Sequence, residues 1–316
     1  MEMLVTALIC LPFLWAILPA AIKVTRIRSF FVYLGCGIVM ALSIITAVMW
    51  FMAGGQTLDF NLPYAEVFDE VILVGDLFLM CLITYLSFKY KRGVISLLAI
   101  VQTLLVAGLE LFAEEPAETL AIHFDWLTLV MILIIGIVGS AIGIYAVGYM
   151  HGYHHHHTEF EDRRYYFFTL LFLFLGAMFG FVLSENLLWI DFFWELTSIC
   201  SFLLIGYTKE PVAITNSFRA LWMNLFGGCA LAIGIVYFGL TTHAVTLTDL
   251  VNEGINGNRY AVIPVALIAF AALTKAAQLP FSTWLIGAMV APTPSSALLH
   301  SATMVKAGIY VLFRLA

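Results

Sequence analysis

The chain has 316 residues, 63% of them hydrophobic and only 11% charged, with a formal net charge of −6. So little polar surface cannot cover a soluble core of this size, and the acidic balance excludes a nucleic-acid binder, which needs a basic stripe. Lipid must be the solvent for most of the chain, and crossing about 30 Å of hydrocarbon takes roughly 20 apolar residues in a helix that pairs its own backbone groups.

Stretches of that kind follow one another at 3–22, 30–53, 71–88, 93–112, 126–149, 165–184, 186–207, 217–240, 261–279 and 295–315. They predict an all-α polytopic membrane protein of about ten helices. The first reads as a mature helix and not a signal peptide, because Pro12 and Pro19 interrupt it and Lys23, Arg26 and Arg28 follow the apolar run instead of preceding it. Positive residues recur on alternate connections: Lys23, Arg26 and Arg28, then Lys89, Lys91 and Arg92, then Arg163 and Arg164, then Lys209. Those loops read as cytoplasmic, which puts the N-terminus on the outer side of the cytoplasmic membrane. The intervening loops carry Asp59, Glu66, Asp69 and Glu70, then Glu114, Glu115 and Glu118, then Asp249 and Glu253, with Arg259 against the pattern. No linker or short repeat divides the chain, which reads as one helical unit. Up to about residue 124 its spans look like plain apolar helices, and from 125 to 316 ionisable residues enter them. Cys10, Cys36, Cys81, Cys200 and Cys229 stand singly in apolar spans, as small buried hydrophobes and not as iron–sulfur or zinc ligands.

An ionisable side chain at the bilayer centre costs at least about 2.5–3.5 kcal/mol, so each one is a functional candidate. In "LLWIDFFWELTSICSFLLIGY" Asp191 and Glu195 are four apart and share a helix face. Two carboxylates so close in low dielectric should not both be ionised, and such a pair suits a proton relay; for Asp191 a solvated position near the outer interface is the bland alternative. In "LTKAAQLPFSTWL" Lys275 lies deep in an apolar run, five residues before Pro280. Desolvation disfavours its ammonium form, and Pro280 should break the helix and free carbonyls toward water or an ion, as the broken helices of transporters do. The structural alternative is that Lys275 only pairs with Glu195. The last span adds His300 and Lys306, with Ser295, Ser296, Ser301 and Thr303 as hydroxyl stepping stones. Arg219 sits near enough to a span end to snorkel. The tract 151–164, with His151 and His154 to His157, reads as a solvated loop; imidazole tracts can bind zinc or nickel, but so flexible a run fixes no ligand geometry.

The segments "SENLLWIDFFWE", "FWELTSICSFLLIGY", "TKAAQLPFSTWLIGAMVAPTPSSALLHSATMVKAGIYVL" and "HFDWLTLVMILIIGIVGSAIGIYAVGYM" resemble the antiporter-like subunits of respiratory complex I, of Mrp-type Na⁺/H⁺ antiporters and of membrane-bound hydrogenases. The wording is nearest the large Mrp-type and complex I L-type branch. The resemblance covers residues 125–316 and implies a proton-translocating module there. It makes Glu195 the helix-five glutamate, Lys275 the helix-seven lysine, His300 the helix-eight histidine and Lys306 a lysine found in some branches. There are departures. Gly287 stands where the family usually has an acidic residue, and Asp191 where an apolar one is usual. The pair of helices at 71–112 looks inserted, and the second inverted five-helix unit with its exit-side lysine is incomplete, so the expectation is a split or truncated subunit.

The resemblance implies H⁺ or Na⁺ translocation within a redox-driven complex resembling NADH:quinone oxidoreductase or hydrogenase, with other membrane subunits and a peripheral redox arm as partners. Iron–sulfur, flavin or NiFe centres would then belong to those partners, with no cofactor in this chain. Two alternatives are an Mrp-type Na⁺/H⁺ antiporter subunit and a non-translocating membrane scaffold. A cytochrome would need facing histidine pairs, whereas only His123 and His300 lie in or near spans.

Overall fold

A computed structural model describes residues 1–62, 64–112 and 121–316, so Glu114, Glu115 and Glu118 of the expected acidic loop lie outside the described residues. The protein is helical almost throughout. Helices α1 (Glu2–Ala21), α2 (Thr25–Met52), α3 (Ala65–Lys89) and α4 (Gly93–Phe112) come first. Helix α5 (Trp126–Leu133) runs through a π turn, Ile134–Gly139, into α6 (Ser140–His156). Then come α7 (Arg164–Leu183), α8 (Leu187–Ile205), α9 (Pro211–Thr242), the short α10 (Leu247–Ile255) and α11 (Val262–Lys275). The chain continues through α12 (Thr283–Gly287), α13 (Thr293–Ser296), a second π turn at Ala297–Ala302 and α14 (Met304–Arg314).

Among the described residues nine helices are long and apolar enough to cross a membrane, and they match nine of the expected spans. The tenth, at 261–279, is cut short, because α11 stops at Lys275 after 14 residues. Burial ranks the helices from the inside outward. Helix α7 is apolar on every face, as a helix enclosed on all sides must be, and 83% of its span is buried; α8 follows at 78%, while α1 and α3 reach only 33% and 28%. The centre of the molecule therefore holds α7 and α8, with α9 packed alongside α8, α11 against α9, and α14 closing against α11.

One end of the bundle is sealed by polar turns. Strands β1 (Leu58–Phe60) and β2 (Ile122–Phe124) pair antiparallel with Asp59 opposite His123, and single bridges join Ile122 to Ser184 and Asn186 to Thr246. Three helices start there, each with the residue type its cap requires. Asp125 accepts from the Thr128 amide, Asn186 from that of Leu188 and Thr246 from that of Asp249, satisfying first-turn N–H groups that have no intrahelical partner.

The histidine tract departs from the expected loop. Helix α6 continues to His156, so His151 to His156 form its last turns. His154 Nε2 lies 2.8 Å from the Tyr207 hydroxyl, which ties the tract to the end of α8. Among the described residues no cluster of three or more His, Cys, Asp or Glu side chains is arranged to hold a metal ion.

Candidate functional site

Asp191 and Glu195 lie one turn apart on α8, 1% and 2% exposed. The solvated alternative for Asp191 therefore fails. Its Oδ1 accepts a hydrogen bond from Gln102 Nε2 of α4 at 3.2 Å, while neither carboxyl oxygen of Glu195 has a hydrogen-bond partner. A buried carboxyl left without donors costs stability, and such groups are kept where they titrate or carry charge.

Lys275 ends α11 with no exposed surface. Its ammonium donates to the carbonyl of Trp194 at 2.8 Å and to Ser198 Oγ at 3.3 Å, and sits 4.1 Å from the centre of the Trp194 ring. Among the described residues no ion pair within 4.0 Å joins it to Glu195 or Asp191, so it does not act as a simple clasp. Both carboxyls are nonetheless near enough for their charge to act on it. The geometry is that of a cation held by backbone carbonyl, hydroxyl and indole face beside two unpaired acids, and a proton or another cation can change the balance between them without breaking a salt bridge.

The break in α11 differs from expectation in its cause. The helix ends at Lys275, five residues before Pro280, and a left-handed Ala277 with φ of 53° closes it. The Gln278 amide donates to the Leu273 carbonyl and that of Ala277 to Thr274, the paired bonds of a Schellman ending. Trp284 Nε1 also donates to Thr274 O, and Gln278 Nε2 to Ala276 O. These carbonyls are thus occupied and not freed toward an ion. What the early stop achieves is to place Lys275 on the last turn of a half-helix, facing α8. Gly308 of α14 is required at this break, since a Cβ there would collide with the Ala272 carbonyl and the Ala276 amide.

His300 lies in the second π turn, half-buried, and its Nε2 has no partner; π turns inside α-helices are frequent at functional sites. Lys306 is half-buried on α14, beyond the break at Thr303. Among the described residues no hydrogen bond links either group to Lys275. Of the hydroxyl stepping stones, Ser295 is fully buried with an unpartnered Oγ, Thr303 bonds back to the Leu298 carbonyl, Ser296 is half-buried, and Ser301 is exposed. Arg219 is exposed and lines an open depression of about 220 Å³ with Arg92 and Trp222.

Sequence reasoning missed two groups. The first is Asp76, which contradicts the reading of the early spans as plain apolar helices: it is 4% exposed on α3, with an unpartnered Oδ1. The signal was a lone acid in "VILVGDLFLMC". The second is the ionic cluster at the sealed end. Arg314 binds Glu185, both buried, and also donates to the Tyr310 hydroxyl, which in turn donates to the Val182 carbonyl. His123 Nδ1 stands 2.6 Å from Asp59 and 3.9 Å from Glu185, and its Nε2 3.6 Å from Asp125. Burial by itself would lower the affinity of His123 for a proton, but these carboxylates outweigh it, and its pKa lies above the ordinary value. Asp125 moves the other way. Burial alone would raise it, but His123 and the amide and hydroxyl of Thr128 hold it below the usual carboxylate range.

A family model described as "NADH:quinone oxidoreductase/Mrp antiporter, TM" matches residues 184–316, and one described as "NADH-Ubiquinone oxidoreductase (complex I), chain 5 N-terminus" matches residues 117–161. The chain is 39% identical over 197 residues to Na(+)/H(+) antiporter subunit A1 of Staphylococcus aureus (strain bovine RF122 / ET3-1), which covers 61% of this chain and 24% of that protein. The same subunit of strain Newman matches to the same extent. The matched region thus spans about a quarter of the length of these curated relatives. Among solved structures, the Mrp complex from Dietzia sp. DQ12-45-1b is similar with a TM-score of 0.55 and 28% identity, over 78% of this chain and 28% of that one. The membrane-bound sulfane sulfur reductase, an archaeal respiratory membrane complex, shares the fold with a TM-score of 0.53 at 18% identity, over 77% of this chain and 52% of that one.

Proposed function

This chain belongs to the antiporter-like family of NADH:quinone oxidoreductase and Mrp antiporter membrane subunits, and on that premise we propose that it translocates H⁺ or Na⁺ as one subunit of a larger membrane complex. The observation that carries this reading is Lys275, wholly buried on the last turn of a broken helix, beside Glu195 and Asp191 and without an ion pair to either. Glu195 in its charged form favours the ammonium. When that charge is neutralised, Lys275 passes its proton on toward His300 and Lys306. Residues 125–316 form the translocating module, and residues 1–124 are the leading helices with α3–α4 added. The alternation of positive charge supports loops carrying Lys23, Lys89, Arg163 and Lys209 on the cytoplasmic side, with the sealed end outside in the cytoplasmic membrane.

The relatives support a reading of the partners. The 39% identity to Na(+)/H(+) antiporter subunits favours an Mrp-type assembly of membrane subunits that exchanges Na⁺ for H⁺. The redox-driven pump is the second reading, supported by the NADH:quinone oxidoreductase membership of the same family model; there a peripheral arm would carry any flavin, iron–sulfur or NiFe centre. Purification of the native complex followed by mass spectrometry separates them. Membrane antiporter subunits alone establish the first, hydrogenase or quinone-reductase subunits the second, and a chain that purifies without partners overturns both.

A further inference from the structure

We propose that Asp76 of α3 is a further proton-binding residue of the translocation route, at the head of a side branch that enters from the sealed end of α3 and α4 and joins Asp191 and Glu195 beside Lys275. The inference rests on the translocation reading above and adds to it a path supplied by α3 and α4, which lie outside both matched family regions.

Several contacts set the register of α3 on α8. The buried stripe of α3 is Ile72, Asp76, Leu79, Ile83 and Ser87, a helical spacing with one acid in its middle. Trp189 Nε1 donates to Asp69 Oδ1 at 2.5 Å near the start of both helices. One turn and a half further on, Gly75 meets Phe192, and a Cβ there would enter the Phe192 ring. Asp76 is thereby pressed toward α8 at the level of Asp191, seven residues below Asp69 on the same face.

The charged groups around Asp76 are Glu110 from α4 and Asp191 and Glu195 from α8, with Lys275 of α11 facing the latter two. Glu110 in turn lies within reach of the charge of Asp69. Carboxyls thus lead from Asp69 and Glu110, at one end of the hairpin, through Asp76 and Asp191 to Glu195. Three buried acids and one ammonium make up this group, and with the ammonium charged it is neutral only when two of the three acids hold protons or when other cations enter. Protons fit better, since no three of these side chains converge as ligands of a metal ion would.

Gln102 marks the inner end of the branch, at Asp191. It is fully buried; its Nε2 donates to Asp191, and its Oε1 has no partner. An amide oxygen accepts only from a donor, and an ionised carboxylate offers none, whereas a protonated carboxyl or a water does. Gln102 can therefore hold a charged Asp191 on one side and accept from a water or a protonated group on the other, where its Oε1 lies against Gly228 of α9.

The test uses the assembled complex in sealed vesicles, with Asp76→Asn, Asp76→Glu and, as a control for the route itself, Lys275→Met. The expected result is that Asp76→Asn lowers cation-coupled proton transport by at least about tenfold and alters its pH profile, while Asp76→Glu restores transport. Infrared difference spectra taken across a pH step should show a protonated-carboxyl band that moves in Asp76→Glu. Wild-type rate and pH profile in Asp76→Asn, with Lys275→Met inactive, overturn the proposal and leave the translocation reading standing. Full transport by Lys275→Met overturns that reading instead. Should Asp76→Asn fail to assemble, a carboxyl band unmoved in Asp76→Glu overturns the proposal.

Discussion

Replacing Lys275 by Met separates the chemical role of this residue from its structural one. The wild-type ammonium makes two hydrogen bonds, each worth about 1.5–3 kcal/mol when the donor is charged, and a desolvated cation–π contact worth about 2 kcal/mol. Against that gain of about 5–8 kcal/mol stands the effective penalty of burying an ion, which is itself several kcal/mol. Methionine fills a similar volume and carries neither term, and Trp194 O keeps hydrogen bonds from Thr197 and Ser198. Because Lys275 makes no ion pair with Glu195 or Asp191, the fold should lose less than the about 3–5 kcal/mol of a broken buried pair, and the complex should assemble. Transport should be lost, because no group remains at the end of α11 to hold and release a positive charge, whose movement against 100 mV is worth about 2.3 kcal/mol. The assay is fluorescence quenching of a pH-sensitive dye in everted vesicles, with the amount of complex read from a native gel. A Lys275→Met complex that assembles and still transports refutes the mechanism. A variant that falls apart shows the ammonium to be a structural clasp after all.

Three further outcomes follow from the geometry. Ala277→Gly removes a left-handed alanine at the end of α11 and should raise thermal stability in detergent by up to about 1 kcal/mol, whereas Ala277→Val should lower it. Arg314→Met leaves Glu185 buried without its cation and should cost about 3–5 kcal/mol in the same melt, a loss that adding Glu185→Met largely relieves. The pKa of His123 is raised in the folded state, so its contribution is present below the ordinary histidine value and fades as pH climbs through the raised one. Melting temperature should therefore fall between mildly acidic and alkaline pH, and His123→Gln should flatten that slope; an equal slope in both proteins contradicts the assignment.

Much of this architecture is legible in the sequence because lipid admits few solutions. Nine spans follow from length and apolarity alone, and Glu195 and Lys275 stand out because charge in an apolar run is rare. Local hydrogen bonding is harder to read. Pro280 drew attention as the breaker of α11, yet the helix ends earlier, at an alanine in a glycine-like conformation that composition does not announce. The histidine tract looked like a loop because it is polar, but helical bonding carries through to His156 before the chain turns. Asp76 escaped because a single acid among apolar residues is ambiguous until the packing of α3 on α8 shows which way that face turns.

The central claim is that the charge of Glu195 decides whether Lys275 keeps or passes on its proton, and Glu195→Gln tests it most directly. The substitution keeps the shape and, since neither carboxyl oxygen is hydrogen-bonded, removes no bond. Proton flux measured in vesicles holding equal amounts of wild-type and Glu195→Gln complex should fall to background in the variant. Flux at the wild-type rate would contradict the account.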